Sequence, residues 1–217
     1  MDTQPIQISR LHFPVTTLGP GQRIGIWFQG CSIRCPGCIS ADTWSSTTGN
    51  TSVERVLAHL APWLATADGI TISGGEPFEQ PAALLAMLKA LRSGTRADIL
   101  VYSGLPVEQL VSVLQQATGL IDALISDPFE IGARHSKPLR GSDNQRLHLL
   151  TALGRERFGV YERAGAQPDK ALDVMFDHDG SVWFAGIPAR GDFLRLQEIL
   201  INQGHRVQIS ADKAHNS

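Results

Sequence analysis

All three cysteines of this 217-residue chain lie in one short segment, Cys-Ser-Ile-Arg-Cys-Pro-Gly-Cys, at residues 31–38. Because Cys31, Cys35 and Cys38 are four and then three positions apart, one loop can turn all three thiolates towards a single metal centre. A 4Fe-4S cluster normally takes four cysteine ligands, so a loop that supplies three leaves one iron atom open to a small ligand. The spacing therefore predicts a cluster that takes part in chemistry rather than one that only stores electrons.

Two other uses of the cysteines have to be weighed. A structural zinc site has four closed ligands, so its fourth ligand would have to be a distant histidine such as His12 or His135. A disulfide framework fits badly, because this set of cysteines is odd in number and tightly clustered. The zinc site remains the alternative use of the three cysteines.

The composition is that of a globular protein, with 42% hydrophobic and 18% charged residues, and no apolar stretch reaches the length of about 18 residues expected of a membrane span. A formal net charge of -2 without a long Lys/Arg run gives no reason to expect a nucleic-acid partner. The first residues lack a basic region followed by an apolar run, so no signal peptide is expected. Since thiolates that bind a metal suit a reducing compartment, we expect a cytoplasmic protein that binds neither nucleic acid nor a membrane.

Apolar strands alternate with amphipathic helices through roughly the first 150 residues. The predicted strands are residues 6–13, 24–28, 69–73, 98–102 and 120–125, and the predicted helices begin near Thr51, Pro81 and Pro106. Parallel neighbours need a crossover long enough to hold a helix, which the spacing of these strands provides. The pattern predicts an α/β fold, an incomplete (β/α) barrel, with residues 6–13 as an edge strand whose one face is buried.

Residues 155–217 have a different pattern. The predicted elements are a hairpin of residues 172–176 and 181–185, a helix from Asp192 and a strand at 205–209. A hairpin and one helix bury too little surface to fold alone. We therefore expect residues 1–154 to form the partial barrel and residues 155–217 to form a small α+β appendage packed on it. His178 and Asp179 lie in the predicted turn and are turn residues first, with a role as ligands only a remote alternative.

A second motif, Gly74-Gly75-Glu76-Pro77, follows the strand at residues 69–73. Such a segment alone is more often an ordinary strand-to-helix turn than a ligand site. Here it follows the strand that comes after the cysteine loop, and a parallel barrel gathers its functional loops at one end. We therefore expect the two motifs to form one site.

The cysteine spacing, directly after the strand at residues 24–28, resembles the cluster loop of the radical S-adenosylmethionine superfamily, and residues 74–77 are similar to its methionine-binding motif. Further segments resemble the activating proteins of anaerobic ribonucleotide reductases: Gly19-Pro20-Gly21, Gln29-Gly30, and Leu139-Arg140-Gly141-Ser142 with Asn144-Gln145-Arg146. The resemblance covers roughly residues 10–150 and also implies an incomplete (β/α) barrel.

This resemblance implies that Cys31, Cys35 and Cys38 bind a 4Fe-4S cluster and that S-adenosylmethionine chelates the open iron. One electron from the reduced cluster then cleaves the sulfonium, which gives methionine and a 5'-deoxyadenosyl radical. The predicted cofactor-binding residues are Gly74, Gly75, Glu76, Pro77, Ser103, Asp127 and Asn144. Glu76 has the charge to hold the methionine ammonium, and glycines let the backbone approach closely.

The sequence itself gives less support for the roles of the remaining site residues. Ser103 could reach the ribose, although a serine that forms a turn is nearly as common. The resemblance alone places Asp127 and Asn144, together with Arg140 and Arg146, at the rim of the site.

The likeness to activating proteins implies hydrogen abstraction from a glycine of a large partner enzyme, which leaves a stored glycyl radical. A chain of this length has little room for a closed substrate pocket, which agrees with a protein substrate that docks over an open barrel. The chain has no second cysteine cluster, so it requires an external reductant such as flavodoxin or ferredoxin.

The sequence departs from the activating proteins in two features. These features leave open the alternative that the protein is an enzyme that modifies a peptide or a small molecule. The activating proteins usually have asparagine two residues after the third cysteine, where this chain has Ser40, and the minimal ones end near the Asn-Gln-Arg motif. The third interpretation is a non-catalytic zinc or electron-transfer module. Iron binding and cleavage of S-adenosylmethionine by the purified protein would discriminate between the enzymatic and non-catalytic interpretations.

Overall fold

A computed structural model describes residues 4–163, 171–176, 182–189, 191–204 and 206. Its elements are β1 (Pro5–Val15), β2 (Arg23–Phe28), β3 (Asn50–Ser52), α1 (Val53–Leu64), β4 (Gly69–Gly74), α2 (Pro81–Gly94), β5 (Asp98–Tyr102), α3 (Val107–Gln116), β6 (Ala123–Ser126), β7 (Arg146–Leu149), α4 (Ala152–Phe158), β8 (Leu172–Phe176), β9 (Val182–Gly186) and α5 (Asp192–Asn202). Among the described residues the longest helix, α2, has 14 residues, and none is long and apolar enough to cross a membrane.

The main sheet has seven strands in the order β3-β1-β2-β4-β5-β6-β7. The four central strands β2, β4, β5 and β6 are parallel, whereas β1, β3 and β7 are antiparallel to their neighbours. The prediction of an α/β fold is confirmed, and the sheet is open rather than closed on itself. The prediction that residues 6–13 form an edge strand is wrong at the start of that segment, because Pro5, Ile6 and Gln7 pair with the three-residue strand β3. A strand this short has no hydrophobic periodicity that could signal it.

The carboxyl ends of the parallel strands lie at one edge of the sheet. The cysteine loop follows β2, and Phe28 at the end of that strand pairs with Gly74 at the end of β4. Ser103 follows β5, and Asp127 follows β6, whose Ile125 pairs with Tyr102. Four strand ends therefore deliver the predicted site segments to the same edge, as expected for parallel neighbours.

Each face of the sheet has its own apolar core. Helices α1, α2 and α3 cover the first face and bury side chains against the isoleucines of β2 and β4. This first core includes Ile24, Ile26, Ile70, Ile72, Val56, Leu60, Leu84, Leu88, Leu91 and Leu110. A fully buried Leu or Ile contributes about 1.5–3 kcal/mol of hydrophobic free energy, so this face supplies much of what holds the parallel strands in place.

Helix α4 and the β8–β9 hairpin cover the second face. Their buried residues Phe158, Met175 and Ala185, with Ile187 directly after β9, join Val15, Leu18, Trp27, Leu100, Ala123, Ile125 and Leu139 in the second core. The carboxylate of Asp173 on β8 accepts four hydrogen bonds of 2.7–3.1 Å from the backbone N–H and hydroxyl groups of Thr16 and Thr17. Trp183 of β9 packs edge-on against Trp27, with ring centroids 5.1 Å apart. The hairpin is therefore docked by both polar and apolar contacts.

The pairing of the predicted hairpin is confirmed, with Leu172 opposite Gly186 and Phe176 opposite Val182. His178 and Asp179, the predicted turn residues, lie outside the described residues. The strand predicted at residues 205–209 also lies outside them, apart from residue 206.

Candidate active site

The cysteine loop is fixed at its entry by hydrogen bonds to the segment that follows it. The N–H of Gly30 donates to the carbonyl of Thr43 at 2.7 Å, and the N–H of Cys31 donates to the carbonyl of Trp44 at 3.2 Å. Within the loop, the N–H of Cys38 donates to the carbonyl of Cys35 at 3.1 Å. The three thiols are partly buried and unpaired with one another. The loop therefore presents three free thiols on a short, bonded turn.

The surroundings of the thiols fit a cluster. Burial raises the pKa of all three thiols, to about 11 for Cys38, while nearby donors act in the opposite direction. These donors are the N–H groups of Ile33 and Arg34 at Cys31, of Phe129 at Cys35, and of Ser40 with the Trp44 side chain at Cys38. Metal binding deprotonates a coordinating thiol, and N–H donors to sulfur are the kind of outer contact that tunes an iron–sulfur cluster.

Among the residues that the structure describes, no three His, Cys, Asp or Glu side chains converge on a point where one ion could be held. His12, one fourth ligand considered for zinc, packs edge-on against Trp183, with ring centroids 5.3 Å apart. Thiolates that bind different iron atoms of one cluster do not have to converge on a single point.

The glycine-rich turn after β4 lies directly against the entry of the cysteine loop. The N–H of Gly75 donates to the carbonyl of Phe28, and the N–H of Glu76 donates to the carbonyl of Gly30, both at 2.8 Å. A Cβ atom at residue 75 would come within 2.1 Å of the Gly30 carbonyl oxygen, and Gly74 has a φ of +102°. Only glycine permits this approach of two backbones. The sequence prediction that the two motifs come together is confirmed.

Glu76 is buried at the centre of this edge, with 1% of its surface exposed. Its carboxylate accepts hydrogen bonds from the N–H of Phe78 at 3.0 Å, the hydroxyl of Ser103 at 3.0 Å and the N–H of Gly104 at 2.8 Å. Burial raises the pKa of Glu76 to about 7, although these three donors oppose the increase. An ionised carboxylate has about four acceptor positions, so one remains for a further donor.

Ser103 and Pro77 both help to hold Glu76 in this position. The Ser103 hydroxyl donates to Glu76 and accepts from the N–H of Leu105 at 3.0 Å, so it forms a turn as well as a bridge between the ends of β4 and β5. Pro77 is buried at the first position of a short 3-10 turn (Pro77–Glu79). The contact of Ser103 with a ribose stays a prediction.

The raised pKa of Glu76 predicts a pH dependence of stability in the cluster-free protein. In the unfolded chain a glutamate titrates near pH 4.3, so the folded state holds this proton more tightly. The resulting stabilisation is fully present below that pH and is lost as the pH rises through about 7. The whole loss amounts to about 4 kcal/mol in the free energy of unfolding.

Urea unfolding of wild type and Glu76→Gln between pH 5 and 8 would measure this loss. The glutamine changes stability by an amount that does not depend on pH, so we expect the difference between the two proteins to change by about 3 kcal/mol across this range. The carboxylates of Glu108, Asp127 and Asp143 stay ionised throughout this pH range, because their pKa values are lowered. They therefore do not contribute to the change in the difference. A constant difference between the two proteins would contradict the raised pKa.

The other predicted site residues lie beside the end of β6. Asp127 accepts from Arg146 Nε at 2.7 Å and Nη2 at 2.9 Å, and Arg146 also bonds both carboxylate oxygens of Glu108 at 2.7 and 2.8 Å. The side-chain amide of Asn144 donates to the carbonyl of Pro128 at 2.8 Å. Arg140 is buried, with 3% exposed, and forms an ion pair with Glu162. These residues form contacts within the protein, and their contact with a cofactor stays a prediction.

Two residues next to the glycine-rich motif were missed by the sequence analysis. The carboxylate of Glu79 accepts from the N–H of Ser32 at 3.0 Å and from its hydroxyl at 2.5 Å, which fixes the residue after Cys31. The side-chain amide oxygen of Gln80 accepts a hydrogen bond from the N–H of Gln7 at 2.7 Å. The amide nitrogen of Gln80 donates to the carbonyl groups of Gln7 and Gln29. The signal was present in the sequence as two polar residues directly after Pro77 and Phe78.

Comparison with known proteins agrees with this site. A model of the family described as "4Fe-4S single cluster domain" matches residues 17–148. The anaerobic ribonucleoside-triphosphate reductase-activating protein of Vibrio cholerae is 30% identical over 150 residues, which cover 64% of this chain and 96% of the relative. The protein of the same name from Escherichia coli strain K12 is 28% identical over 148 residues, with the same coverage.

A second group of relatives matches a shorter part of the chain. The pyruvate formate-lyase-activating enzyme of Clostridium pasteurianum is 40% identical over 76 residues, 33% of this chain and 32% of the relative. Since the family model spans residues 17–148 and the chain covers 96% of the Vibrio relative, this protein belongs to the 4Fe-4S single cluster domain family, among the radical S-adenosylmethionine activating proteins.

Proposed function

We propose that this protein is a radical S-adenosylmethionine enzyme that installs a glycyl radical in a protein partner such as an anaerobic ribonucleotide reductase. The observation that carries the proposal is the direct bonding of the glycine-rich turn to the mouth of the cysteine loop, through Glu76 N–H and the Gly30 carbonyl at 2.8 Å. The names of the relatives support the choice of partner, since these relatives activate ribonucleotide reductases or pyruvate formate-lyase.

In this function Cys31, Cys35 and Cys38 hold a 4Fe-4S cluster, and S-adenosylmethionine binds beside it. The cluster supplies the electron that cleaves the sulfonium of S-adenosylmethionine to methionine and a 5'-deoxyadenosyl radical. Glu76 uses its fourth acceptor position to hold the methionine ammonium, because its other three positions are already bonded to the protein. Gly74 and Gly75 bring this carboxylate close to the cysteine loop.

The rest of the predicted ligand set borders the same edge of the sheet. Ser103 follows β5 beside Glu76, and Asp127 and Asn144 lie at the end of β6. We assign these three side chains to the adenosine side of the cofactor. The four parallel strands and their crossover helices support the further proposal that the open sheet is the partial (β/α) barrel of this superfamily.

The electron has to come from outside the chain, because all its cysteines are in one loop. We assign the reductant to a low-potential protein such as flavodoxin or ferredoxin. A reducing compartment, the cytoplasm, suits both the cluster and this donor.

We also assign residues 155–217 to recognition of the partner rather than to catalysis. The hairpin covers the second face of the sheet, and the side chains on its outer side are exposed, with 77% for Phe176 and 49% for Val174. Every residue assigned to cofactor chemistry lies within residues 1–154. Division of the chain at this point keeps the site in one unit and the recognition surface in the other.

The experiment that tests the function pairs two measurements under anaerobic conditions. Reconstituted protein with dithionite and S-adenosylmethionine should form 5'-deoxyadenosine without a partner, and should give a glycyl-radical signal in electron paramagnetic resonance when an anaerobic ribonucleotide reductase is added. Failure to form 5'-deoxyadenosine would defeat the proposal. Cleavage without a glycyl radical in any reductase tested would favour an enzyme that modifies a peptide or a small molecule.

The same pair of measurements tests the appendage. Substitution of His178 and Asp179 by alanine should leave 5'-deoxyadenosine formation intact and lower the yield of glycyl radical. If these substitutions preserve folding and the cluster but stop cleavage, residues 155–217 belong to the active site.

A further inference from the structure

The connection between β6 and β7 is much longer than an antiparallel pair needs. Residues 127–145, here called the connecting loop, join two neighbouring antiparallel strands. Such strands are usually joined by about 2–5 residues, and a much longer loop is usually functional. The length of the connecting loop therefore indicates a role beyond joining the two strands.

Three consecutive side chains close the base of the connecting loop. Asn144 donates to the carbonyl of Pro128 at 2.8 Å, and Gln145 donates to the carbonyl of Asp127 at 3.1 Å. Arg146 donates to the carboxylate of Asp127 at 2.7 and 2.9 Å. All three therefore reach back to the first two residues of the loop and hold its two ends together.

Gln145 also fixes the interior of the loop. It is 9% exposed, and its amide oxygen accepts from the N–H of Gly141 at 2.8 Å. Two non-glycine residues of the loop have left-handed backbones, Asp127 with φ +84° and the fully buried Leu139 with φ +58°. Such conformations persist only where the surrounding contacts over-determine them.

The closed loop reaches the cysteine loop. The backbone N–H of Phe129 lies near the thiol of Cys35 and acts to lower its pKa, against the larger effect of burial. The side chain of Ile131 lies over Gly37, since a Cβ atom at residue 37 would come within 2.6 Å of Ile131 Cδ1. The connecting loop therefore brings one backbone N–H and one apolar side chain to the flank of the site between Cys35 and Cys38.

We propose that Asn144, Gln145 and Arg146 are positioning residues, which hold the connecting loop over the Cys35 flank of the cluster site. The proposal rests on the proposed binding of a cluster by Cys31, Cys35 and Cys38. Its consequences are that the N–H of Phe129 raises the reduction potential of the bound cluster and that Ile131 limits the access of solvent to it.

The test uses Gln145→Met, which keeps the length of the side chain and removes both polar atoms. Because the cysteines are untouched, the cluster should assemble anaerobically, but its iron should pass to a ferrous chelator about tenfold faster and its potential should become more negative. In the cluster-free protein, residues 129–142 should exchange their amide hydrogens about tenfold faster than in wild type.

Two further variants separate the two contacts. Ile131→Ala changes a side chain that is 58% exposed, so it should fold, release iron faster and keep the wild-type potential, since the Phe129 N–H remains. Val111→Ala, at a residue 50% exposed on α3, is the matched control and should release iron at the wild-type rate.

The outcomes separate this inference from the proposed function. A wild-type protein that takes up no iron defeats the proposed function, whereas hydrogen exchange in the cluster-free protein still tests the closure of the loop. A Gln145→Met protein with wild-type exchange, iron release and potential overturns the inference. Wild-type iron release from Ile131→Ala overturns the assignment of Ile131 as a cover.

Discussion

Replacement of any one of Cys31, Cys35 and Cys38 by alanine should abolish the cluster. Each thiolate is one of only three that the chain can offer, and a 4Fe-4S cluster normally needs four ligands, so the loss of one leaves only two of the four irons with a protein ligand. Wild type should bind about four iron and four sulfide per chain after anaerobic reconstitution. Iron and sulfide analysis with the visible absorption spectrum measures the loss.

A matched control lies next to the loop. Ser40→Ala keeps every thiol and the backbone N–H near Cys38 that acts to lower the pKa of this thiol, so its cluster content should equal that of wild type. A cluster that survives Cys35→Ala, or wild-type protein that takes up one zinc and no iron, would contradict the proposed site. The second of these results would restore the zinc module as the function of the loop.

The location of the site could be predicted because it depends on local pattern. The strand predicted at residues 98–102 matches β5, and the strand at residues 69–73 differs from β4 by one residue. Parallel strands place their carboxyl ends at one edge, so two motifs that follow such strands have to meet. The bonds between Gly75, Glu76 and the backbone of β2 and its loop are the result.

Features that depend on pairing between distant segments could not be predicted in the same way. The start of β2 includes Arg23, which is fully buried and bonds Asp98 at 2.6 Å and Thr71 at 2.6 Å. A charged residue is almost never fully buried unless it is paired, and the partners lie 75 and 48 positions away in sequence. No local signal could place Arg23 inside the strand.

The contacts of the Asn-Gln-Arg motif at the site could not be predicted from the sequence either. The resemblance placed Asn144 and Arg146 at the rim of the site, but their contacts follow from the antiparallel pairing of β7 with β6, which brings Arg146 opposite Ser126. That pairing sets both ends of a long connection side by side. The motif spacing contains no signal for it, so the contact of these side chains with the backbone of residues 127 and 128 had to come from the structure.

Glu76→Gln should weaken the binding of S-adenosylmethionine about tenfold to a hundredfold while the cluster still assembles, since a hydrogen bond to a charged group contributes roughly 1.5–3 kcal/mol. Glutamine has the same size but no charge for the methionine ammonium, and its amide N–H groups oppose the donors Ser103 and Gly104. Anaerobic titration of the reconstituted proteins measures the affinity.

The control and the pH dependence make this measurement specific to the carboxylate. Glu156→Gln, on the exposed side of α4, removes the same charge and should bind S-adenosylmethionine like wild type. Because the ammonium pairs with the ionised form, the affinity of wild type should fall as the pH decreases through about 7, the pKa to which burial raises Glu76, whereas Glu76→Gln should show no such fall. Equal affinities of wild type and Glu76→Gln at pH 8 would show that the carboxylate supports only the turn between β4 and β5, and the ammonium would then have to be held by the backbone of the glycine-rich turn.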